Sequence, residues 1–574
     1  MLSNAVLAGG LAASYVAALV LHLNPGLRLD DPAAWPLLTA VMLAYGVHLA
    51  VLFYAIGVAR QLLSADGLSP GWLSFRLLAC FFAAASTAGA ALMWHNLWSY
   101  GAALDPEAIE RFFFAAVAMT GAAAAAAVLG VFRLASGPPS RLAAWAFAVV
   151  AVASLALPLG ARGLGRPPAA SGAQPFPDWP IFAAGAPAGQ VILLAVDGAS
   201  LDVISPAVAD GRLPNFARIF DQGASMHLAT LRPTQPGPVW TAVATGKLPW
   251  RNGARSAATY RAATGSAPID LLPDFCFAQA LVSFGLLTET LQTSAALTAQ
   301  PLWTLLGRAG ISSTVVRWPL TWPAHALPGT MVTDELHRAS ELALALDEPG
   351  LTYPPDLASR LARIGRPAPP AASPDLDPAH AGLTTMPLAL DRFYSALTDA
   401  LSVDRPAGFT ALRIQGLDVV GHYFLRFAMP QAFGDVSEDE RRQYGRVLEQ
   451  YYSYVDAELG KILGRLGPAD LVLVVSPFGL EPLSLPKRLL ERVMGNPAIT
   501  GSHERAPDGF LVAYGEAVKP GRYPRGSVVD VAPTLLYYYG LPIGRDMDGF
   551  ARADIFTAAF TAKRPVTYIP TYER

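Results

Sequence analysis

Two histidines and one aspartate supply the side chains from which a divalent metal site could be built. Asp418 and His422 are four residues apart in GLDVVGHYF, so a helix would place both side chains on one face. His503 lies in GSHERAPDGF, just before an apolar run. One carboxylate and two neutral imidazoles are good ligands for Zn²⁺, and three protein ligands leave a coordination position open. Asp418, His422 and His503 are therefore candidate ligands of a divalent metal ion.

Two further strand ends could face this site. Asp197 directly follows the apolar run VILLAV, and Ser476-Pro477-Phe478-Gly479 follows the run LVLVV, where we predict a turn. The carboxyl ends of parallel strands are where α/β proteins commonly bind ligands. The side chains of Pro477 and Phe478, however, can neither bind a metal ion nor transfer a proton. This turn therefore lacks the chemistry that its position would favour.

Alternating strand and helix patterns from residue 189 onward must position these side chains. The predicted buried strands are VILLAV, STVVRW, FTALRI, LVLVV and GFLVAYG. Such continuous apolar runs are typical of strands that are covered on both faces. Helical patterns intervene, including Ser437–Leu466, where Ser437 and Glu440 form a capping-box signal. Strands separated by helices predict an α/β domain with a mostly parallel sheet between helices.

The first 160 residues have a different composition. The whole chain of 574 residues is 53% hydrophobic and 15% charged, and its first lysine is Lys247. Five nearly uncharged runs occur before residue 160: Ala5–Leu23, Trp35–Val58, Leu78–Leu97, Phe112–Phe132 and Leu142–Leu159. Each run has about 20 residues, which is the length that a helix needs to cross the hydrocarbon of a bilayer. We predict an N-terminal bundle of about five transmembrane helices at 1–160.

The loop charges indicate an orientation for this bundle. A small excess of arginine in alternate loops, with Arg60, Arg133 and Arg141 on one side, favours a cytoplasmic N-terminus. We therefore expect an integral protein of a bacterial inner membrane whose C-terminal domain is extracytoplasmic. Membrane lipids are the expected partners, with a membrane protein as a further possibility. The formal net charge of −2 gives no basic face for nucleic acid.

The remaining segments complete the predicted domain organisation. Residues 161–188 are rich in Pro, Gly and Ala and predict a linker. Residues 189–574 form the predicted α/β domain. Within it, residues 257–301 contain long apolar stretches and are interpreted as an insert that caps the active face and touches the bilayer.

The chain from about Gln190 to its C-terminus resembles the type I phosphodiesterase/nucleotide pyrophosphatase branch of the alkaline phosphatase superfamily. The resemblance is carried by VILLAVDGASLD, GRLPNFARIFDQGA, VWTAVATGKLP, VVRWPLTWPAHALPGTMV, LTYPPDLASRL, GLDVVGHYF, YYSYVDAELGKIL, GSHERAPDGFLVAYG and VVDVAPTLLYYYGLPIGRDMDG. It implies an alkaline-phosphatase-like domain in which two neighbouring metal ions clamp a phosphate or similar ester.

The resemblance also implies which residues bind metal. It assigns one metal site to Asp418, His422 and His503, and this set is complete. It places the first ligand of the other site at Asp197 and an Asp-His pair where this chain has Pro477 and Phe478. One carboxylate alone holds a divalent ion poorly in water. The expected cofactor is one Zn²⁺ or another divalent cation, without a second metal.

The nucleophile that the resemblance implies is a Ser or Thr about nine residues before Thr245. That spacing gives Pro236, or Gly237 with a one-residue gap, and neither has a hydroxyl group. Thr234 is the nearest candidate nucleophile and would require a re-routed loop.

Three hypotheses follow, and the sequence leaves open whether the protein is an enzyme. The joint absence of the nucleophile and the second-site ligands favours a membrane-anchored pseudoenzyme with a binding or regulatory role. An alternative is a one-metal phosphodiesterase or phosphotransferase that acts on a membrane-proximal phosphoester such as a lipid headgroup. A third keeps a two-metal enzyme, with Thr234 as nucleophile and Glu481 or Glu504 as substitute ligands.

Overall fold

The structure, a computed structural model, describes residues 1–63, 74–135, 141–165, 189–274, 277–337, 350–357, 378–494 and 496–573. The chain divides into two compact units. The helical unit comprises Met1–Gly172 and Arg255–Gln292, and the α/β unit comprises Ala173–Ala254 and Thr293–Arg574. Residues 166–188, most of the predicted linker, lie outside the described residues.

The helical unit contains the predicted apolar helices. They are α1 (Leu2–Leu23), α2 (Trp35–Leu63), α3 (Phe75–Ser99), α4 (Pro106–Ala135) and α5 (Arg141–Arg162). Within the described ranges these five are, by length and composition, long and apolar enough to cross a membrane, which confirms the five predicted apolar helices. Large apolar side chains are exposed on α2 at Leu43, Val47 and Val51, which are 64%, 60% and 64% accessible. Their spacing of four residues places them on one face of α2, as expected for a helix that faces lipid.

Shorter elements make up the rest of the described chain. The helices are α6 (Leu201–Ala209), α7 (Pro214–Gln222), α8 (Pro236–Thr245), α9 (Pro249–Asn252), α10 (Gln279–Ser283), α11 (Leu302–Arg308), α12 (Pro378–Asp404), α13 (Gly416–Ala428), α14 (Glu438–Tyr444), α15 (Val447–Leu463), α16 (Leu485–Met494), α17 (Val531–Tyr538) and α18 (Ala558–Lys563). The strands are β1 (Val191–Val196), β2 (Ala224–Ala229), β3 (Ala258–Ala262), β4 (Leu287–Leu291), β5 (Ser313–Trp318), β6 (Gly329–Thr333), β7 (Thr352–Tyr353), β8 (Phe409–Ile414), β9 (Leu471–Phe478), β10 (Glu481–Pro482), β11 (Gly501–Ser502), β12 (Asp508–Tyr514), β13 (Gly521–Arg522), β14 (Gly526–Ser527), β15 (Ile543–Gly544) and β16 (Tyr568–Ile569).

One large sheet organises the α/β unit. Among the described strands its order is β13-β2-β12-β9-β1-β8-β5-β6-β7, and β14 also pairs with β2. Neighbours from β9 through β6 are parallel, whereas β12 and β7 pair antiparallel with the strands beside them. This mostly parallel sheet confirms the predicted fold class. Val196 of β1 is in register with Ile414 of β8, so the carboxyl ends of these strands meet at one edge of the sheet.

Two predicted elements differ from the structure. The strand that was expected to end at Val475 continues to Phe478, because residues Ser476 and Phe478 still pair with β12. Pro477 and Phe478 therefore belong to a strand end and not to a turn. The single helix predicted at Ser437–Leu466 is two helices, α14 and α15, which separate at Gly445. Glycine is a poor helix former, so a break there has a low cost.

The apolar insert belongs to the helical unit over most of its length. Arg255–Gln292 groups with α1–α5, whereas the last residues of the predicted insert, 293–301, group with the α/β unit. The insert contains the antiparallel pair β3 and β4. Its side chains Ile269 and Leu281 share a buried cluster with Val20 and Leu37 of α1 and α2. The apolar stretches of the insert thus pack against the membrane-type helices. The predicted position of the insert over the active face stays a prediction.

Candidate metal centre

Helix α13 positions Asp418 and His422. The helix begins directly beyond β8, and the spacing of four residues places both side chains on one face, as the sequence predicted. Asp418 is buried, and the side chain of His422 is 26% exposed. Asp418 Oδ2 lies 3.7 Å from His422 Nε2. The pair is thus open to solvent on the histidine side and closed on the carboxylate side.

Backbone carbonyl groups orient the two imidazole rings. His422 Nδ1 lies 2.8 Å from the carbonyl oxygen of Gly501, and His503 Nδ1 lies 2.8 Å from that of Thr234. Because a carbonyl oxygen can only accept a hydrogen bond, each Nδ1 must carry the proton. In the neutral ring, Nε2 then has a free lone pair. This second hydrogen bond is the usual way in which proteins fix a metal-binding histidine.

The three side chains converge on one point. One ligand atom from each of Asp418, His422 and His503 lies within 4.8 Å of the others, and the two imidazole centroids are 5.0 Å apart. Asp418 Oδ1 is buried and has no hydrogen-bond partner among the described residues. A buried carboxylate oxygen without a partner is costly unless a cation or donor is supplied. The donor set therefore fits a single divalent cation.

Electrostatics are consistent with this fit. Burial raises the pKa of the Asp418 carboxyl, and the positive forms of His503 and His422 act in the opposite direction. A bound divalent cation would be a much larger local charge than either imidazolium, and it would hold the carboxylate in its ionised form.

Asp197 does not join this cluster. It directly follows β1, is fully buried, and forms an ion pair with Arg413 of β8. Arg413 Nε lies 3.2 Å from Oδ1 and 3.1 Å from Oδ2, and Nη2 also donates to Oδ2. The indole N–H of Trp240 on α8 donates to Oδ1. Both carboxylate oxygens are therefore bound to protein donors, and the positive charge beside Asp197 is a guanidinium.

Arg413 and Trp240 were not among the predicted site residues. A signal for Arg413 exists in the sequence, since it is a charged residue within the otherwise apolar or small run FTALRI. Arginine is rarely buried unless it is paired, so its presence in a doubly covered strand indicates a buried acidic partner. The identity of that partner could not be predicted, because Asp197 is 216 residues away in the chain. Trp240 carries no comparable signal.

Phe478, which follows Pro477 at the end of β9, packs beside His503. Phe478 is fully buried, and the centroid of its ring lies 5.0 Å from that of the His503 imidazole. Ser476 Oγ donates to the carbonyl oxygen of Phe478 at 2.9 Å, which fixes the strand end. This position contributes apolar packing to the site and no ligand atom.

The candidate nucleophile Thr234 contacts the site through its backbone. Its carbonyl oxygen accepts from His503, while its hydroxyl donates to the carbonyl oxygen of Leu231 at 2.8 Å. The residue is 1% exposed. Pro236 and Gly237, which hold the position expected for a nucleophile, form the first turn of α8. Pro236 and Gly237 have no hydroxyl group, and that of Thr234 is held by the carbonyl oxygen of Leu231.

The proposed substitute ligands also lie outside the cluster. The metal-type group formed by the described residues contains neither Glu481 nor Glu504. Glu481 is part of β10, and the carboxylate of Glu504 forms an ion pair with Lys487.

The sequence model of a family described as type I phosphodiesterase/nucleotide pyrophosphatase matches residues 191–522, more than half of the chain. No curated protein matches the chain.

Several solved structures are similar at low identity. An inactive form of murine ectonucleotide pyrophosphatase/phosphodiesterase 5 in complex with AMP is 13% identical, with 62% of this chain and 95% of that chain covered and a TM-score of 0.37. The human counterpart is 13% identical, with 65% and 99% covered and a TM-score of 0.37. Phosphonoacetate hydrolase from Sinorhizobium meliloti 1021 in complex with phosphonoformate is 19% identical, with 54% and 63% covered and a TM-score of 0.34.

Proposed function

Because the chain belongs to the type I phosphodiesterase/nucleotide pyrophosphatase family, we propose that it is a membrane-anchored member that binds a phosphoester or related anion at a single-metal site and has lost two-metal hydrolysis. It acts as a binding or regulatory pseudoenzyme. One divalent cation, with Zn²⁺ as the first candidate, is its cofactor.

The observation that carries this proposal is the state of Asp197. Its carboxylate is bound by Arg413 and Trp240, and the neighbouring strand end supplies Pro477 and Phe478. A second cation here would have to displace a buried guanidinium without gaining a new ligand. Removal of one partner from a buried ion pair costs about 3–5 kcal/mol. The geometry therefore favours one metal ion over two.

Asp418, His422 and His503 would hold the metal ion. Their fixed Nε2 atoms and the unpartnered Oδ1 form the donor set, and three ligands leave a position for an oxygen of the bound anion. When bound, the cation supplies a positive charge that attracts and polarises that oxygen. The buried Phe478 ring keeps water from one side of His503, and the exposed edge of His422 gives access from solvent.

The membrane helices support a role at the bilayer. Tethering raises the effective concentration of a membrane-bound ligand. We infer an inner-membrane location with the α/β unit on the extracytoplasmic side, and a lipid headgroup or a membrane protein as the partner.

The proposal is tested on purified full-length protein in detergent. We expect about one metal ion per chain by elemental analysis after equilibration with Zn²⁺. Binding of inorganic phosphate by calorimetry should require the metal and should disappear in His422→Ala. Turnover of 4-nitrophenyl phosphate and of bis(4-nitrophenyl) phosphate should stay at the level of His422→Ala. If the wild type hydrolyses either ester robustly and His422→Ala abolishes this hydrolysis, the proposal is overturned.

A second candidate function is hydrolysis or group transfer at the same single-metal site. The solvent-exposed edge of His422 and the open coordination position favour it, because water could reach a bound ester. The same assays separate the two functions. Hydrolysis that depends on His422 and His503 but persists in Thr234→Ala would indicate a one-metal hydrolase with water as nucleophile.

A further inference from the structure

A cleft with charged side chains in its lining lies in the helical unit, whereas the candidate metal site belongs to the α/β unit. Its lining includes the imidazole of His22 and four charged side chains, those of Asp105, Glu107, Arg111 and Arg162. The cleft lies where two apolar spans end, at Leu23 and at Arg162, and where a third span begins, at Pro106. The lining is therefore at one common end of three spans. In a bilayer this end lies at the depth of the lipid headgroups.

Arg162 provides a fixed positive charge in this cleft. The residue is 3% exposed, and its guanidinium donates to the carbonyl oxygens of Leu21 at 2.7 Å, Asn24 at 3.2 Å and Leu27. These carbonyl groups belong to the end of α1 and the loop that follows it. Neutral carbonyls hold the guanidinium in place without cancelling its charge.

Arg111 provides a second, accessible positive charge. Its Nη1 donates to the carbonyl oxygen of Arg162 at 3.1 Å, and its Nη2 donates to Glu107 Oε1 at 2.6 Å. Among the described residues these are two hydrogen bonds for a side chain with five N–H donors. The side chain is 42% exposed. Its remaining donors can reach an anion that enters the cleft.

Two carboxylates balance these charges. Glu107 is 41% exposed, and Asp105 caps α4 by accepting from the backbone N–H of Ala108 at 3.0 Å. The cleft therefore carries two formal positive and two formal negative charges. Because these charges balance, the cleft has no net attraction for a simple anion or a simple cation. A ligand with one group of each sign can contact both members of the Arg111–Glu107 pair.

We propose that this cleft binds the headgroup of a zwitterionic phospholipid with a primary ammonium group, such as phosphatidylethanolamine. Its phosphate would contact Arg111 near the fixed charge of Arg162, and its ammonium group would contact Glu107 and Asp105. A primary ammonium donates three hydrogen bonds, whereas a trimethylammonium donates none, so phosphatidylcholine should bind more weakly. The site is independent of the proposed metal function.

The test uses native mass spectrometry of the full-length protein in detergent, titrated separately with phosphatidylethanolamine, phosphatidylcholine and phosphatidylglycerol. The wild type should retain phosphatidylethanolamine best. Arg111→Gln removes a charge-assisted contact to phosphate, so it should weaken phosphatidylethanolamine binding by about tenfold. Glu107→Gln should abolish the preference over phosphatidylglycerol while the protein stays folded. Arg60→Gln, an exposed arginine of α2, is the matched control and should bind like the wild type.

Three outcomes would overturn the proposal. One is equal retention of the three lipids by the wild type. Another is that Arg111→Gln and Glu107→Gln bind lipid like Arg60→Gln. The third is that soluble glycerophosphoethanolamine binds as tightly as the lipid, which would indicate a site for a soluble metabolite.

Discussion

The guanidinium of Arg413 forms an ion pair with the carboxylate of Asp197 in the interior of the α/β unit, with Nε within 3.2 Å of both carboxylate oxygens. Both side chains are almost fully buried, at 4% and 0% exposure. The pair lies at the edge of the sheet where β1 and β8 end, on the same strand-end surface as Asp418. It explains why an aspartate that follows a strand is not a free metal ligand here.

Removal of Arg413 should destabilise the protein strongly. Arg413→Ala leaves the buried Asp197 carboxylate without its cation, at a cost of about 3–5 kcal/mol. We expect a clear fall in the thermal unfolding midpoint of the full-length protein. Arg465→Ala, which breaks the exposed pair with Asp399, should cost only about 0–1 kcal/mol. The double variant Asp197→Leu with Arg413→Met should be more stable than Arg413→Ala. Equal midpoints for Arg413→Ala and Arg465→Ala would contradict this interpretation.

Metal content should depend on the two histidines of the cluster. His422→Ala and His503→Ala each remove one of three ligands, so the bound Zn²⁺ should fall from about one per chain to near zero after dialysis. Elemental analysis gives the ratio directly. His227→Ala changes an exposed histidine of β2 and serves as the control, with unchanged metal content. Retention of the full metal content in both site variants would show that the cluster does not bind the ion.

Restoring an Asp-His pair at residues 477 and 478 should not create a second metal site. Pro477→Asp with Phe478→His changes the end of β9, which pairs with β1, and Arg413 and Trp240 already hold the Asp197 carboxylate that follows β1. Loss of the buried Phe478 ring should also lower the unfolding midpoint, because truncation of a buried Phe costs about 3–5 kcal/mol. The expected metal content is at most one ion per chain. A content of two ions per chain would refute the argument that Arg413 closes the second site.

Asp334 should make stability depend on pH. Asp334 follows β6, and burial raises the pKa of its carboxyl to about 6. The positive charges of Arg413 and Arg317 lower this pKa, and the negative charge of Glu335 raises it. An acid with a higher pKa in the folded state binds protons more tightly when folded, so stability falls as pH rises from about 4 to 6.

Asp334→Asn, which mimics the protonated form, tests this effect. It should leave the unfolding midpoint unchanged near pH 4 and raise it at pH 7.5, where the ionised Asp334 costs about 1–3 kcal/mol. Asp399→Asn is an exposed control. If Asp334→Asn raises the unfolding midpoint by the same amount at both pH values, titration of Asp334 is not the cause.

Asn24 should hold the insert to the membrane-type helices. Its amide nitrogen donates to the carbonyl oxygens of Val20 at 2.9 Å and Leu271 at 2.8 Å, and its oxygen accepts from the N–H groups of Asp270 and Leu271, both at 3.1 Å. Asn24→Ala removes all four hydrogen bonds and leaves buried backbone groups unpaired. We expect faster proteolysis between residues 255 and 292, measured by mass spectrometry of the fragments. Asn496→Ala, at an exposed position, should be cleaved at the wild-type rate.

Local patterns in the sequence determined most of the architecture. The membrane-type helices follow from apolar length, and β1, β5 and β8 have the predicted bounds because a buried parallel strand is a continuous apolar run. The metal-type cluster was also predictable. The spacing of Asp418 and His422 fixes their relation on a helix, and His503 is a further candidate ligand in the sequence. The family resemblance grouped these three residues, and the structure brings them together.

The tertiary structure alone decided what Asp197 does and where the insert belongs. Arg413 and Trp240 are 216 and 43 residues from Asp197, and Asn24 is 246 residues from Asp270. No local periodicity encodes such pairings, because they arise when packed elements bring distant buried groups together and each group must find a partner out of water. The sequence thus showed Pro477 and Phe478 where the family resemblance implies metal ligands, and the fold showed that a buried guanidinium neutralises the carboxylate of Asp197.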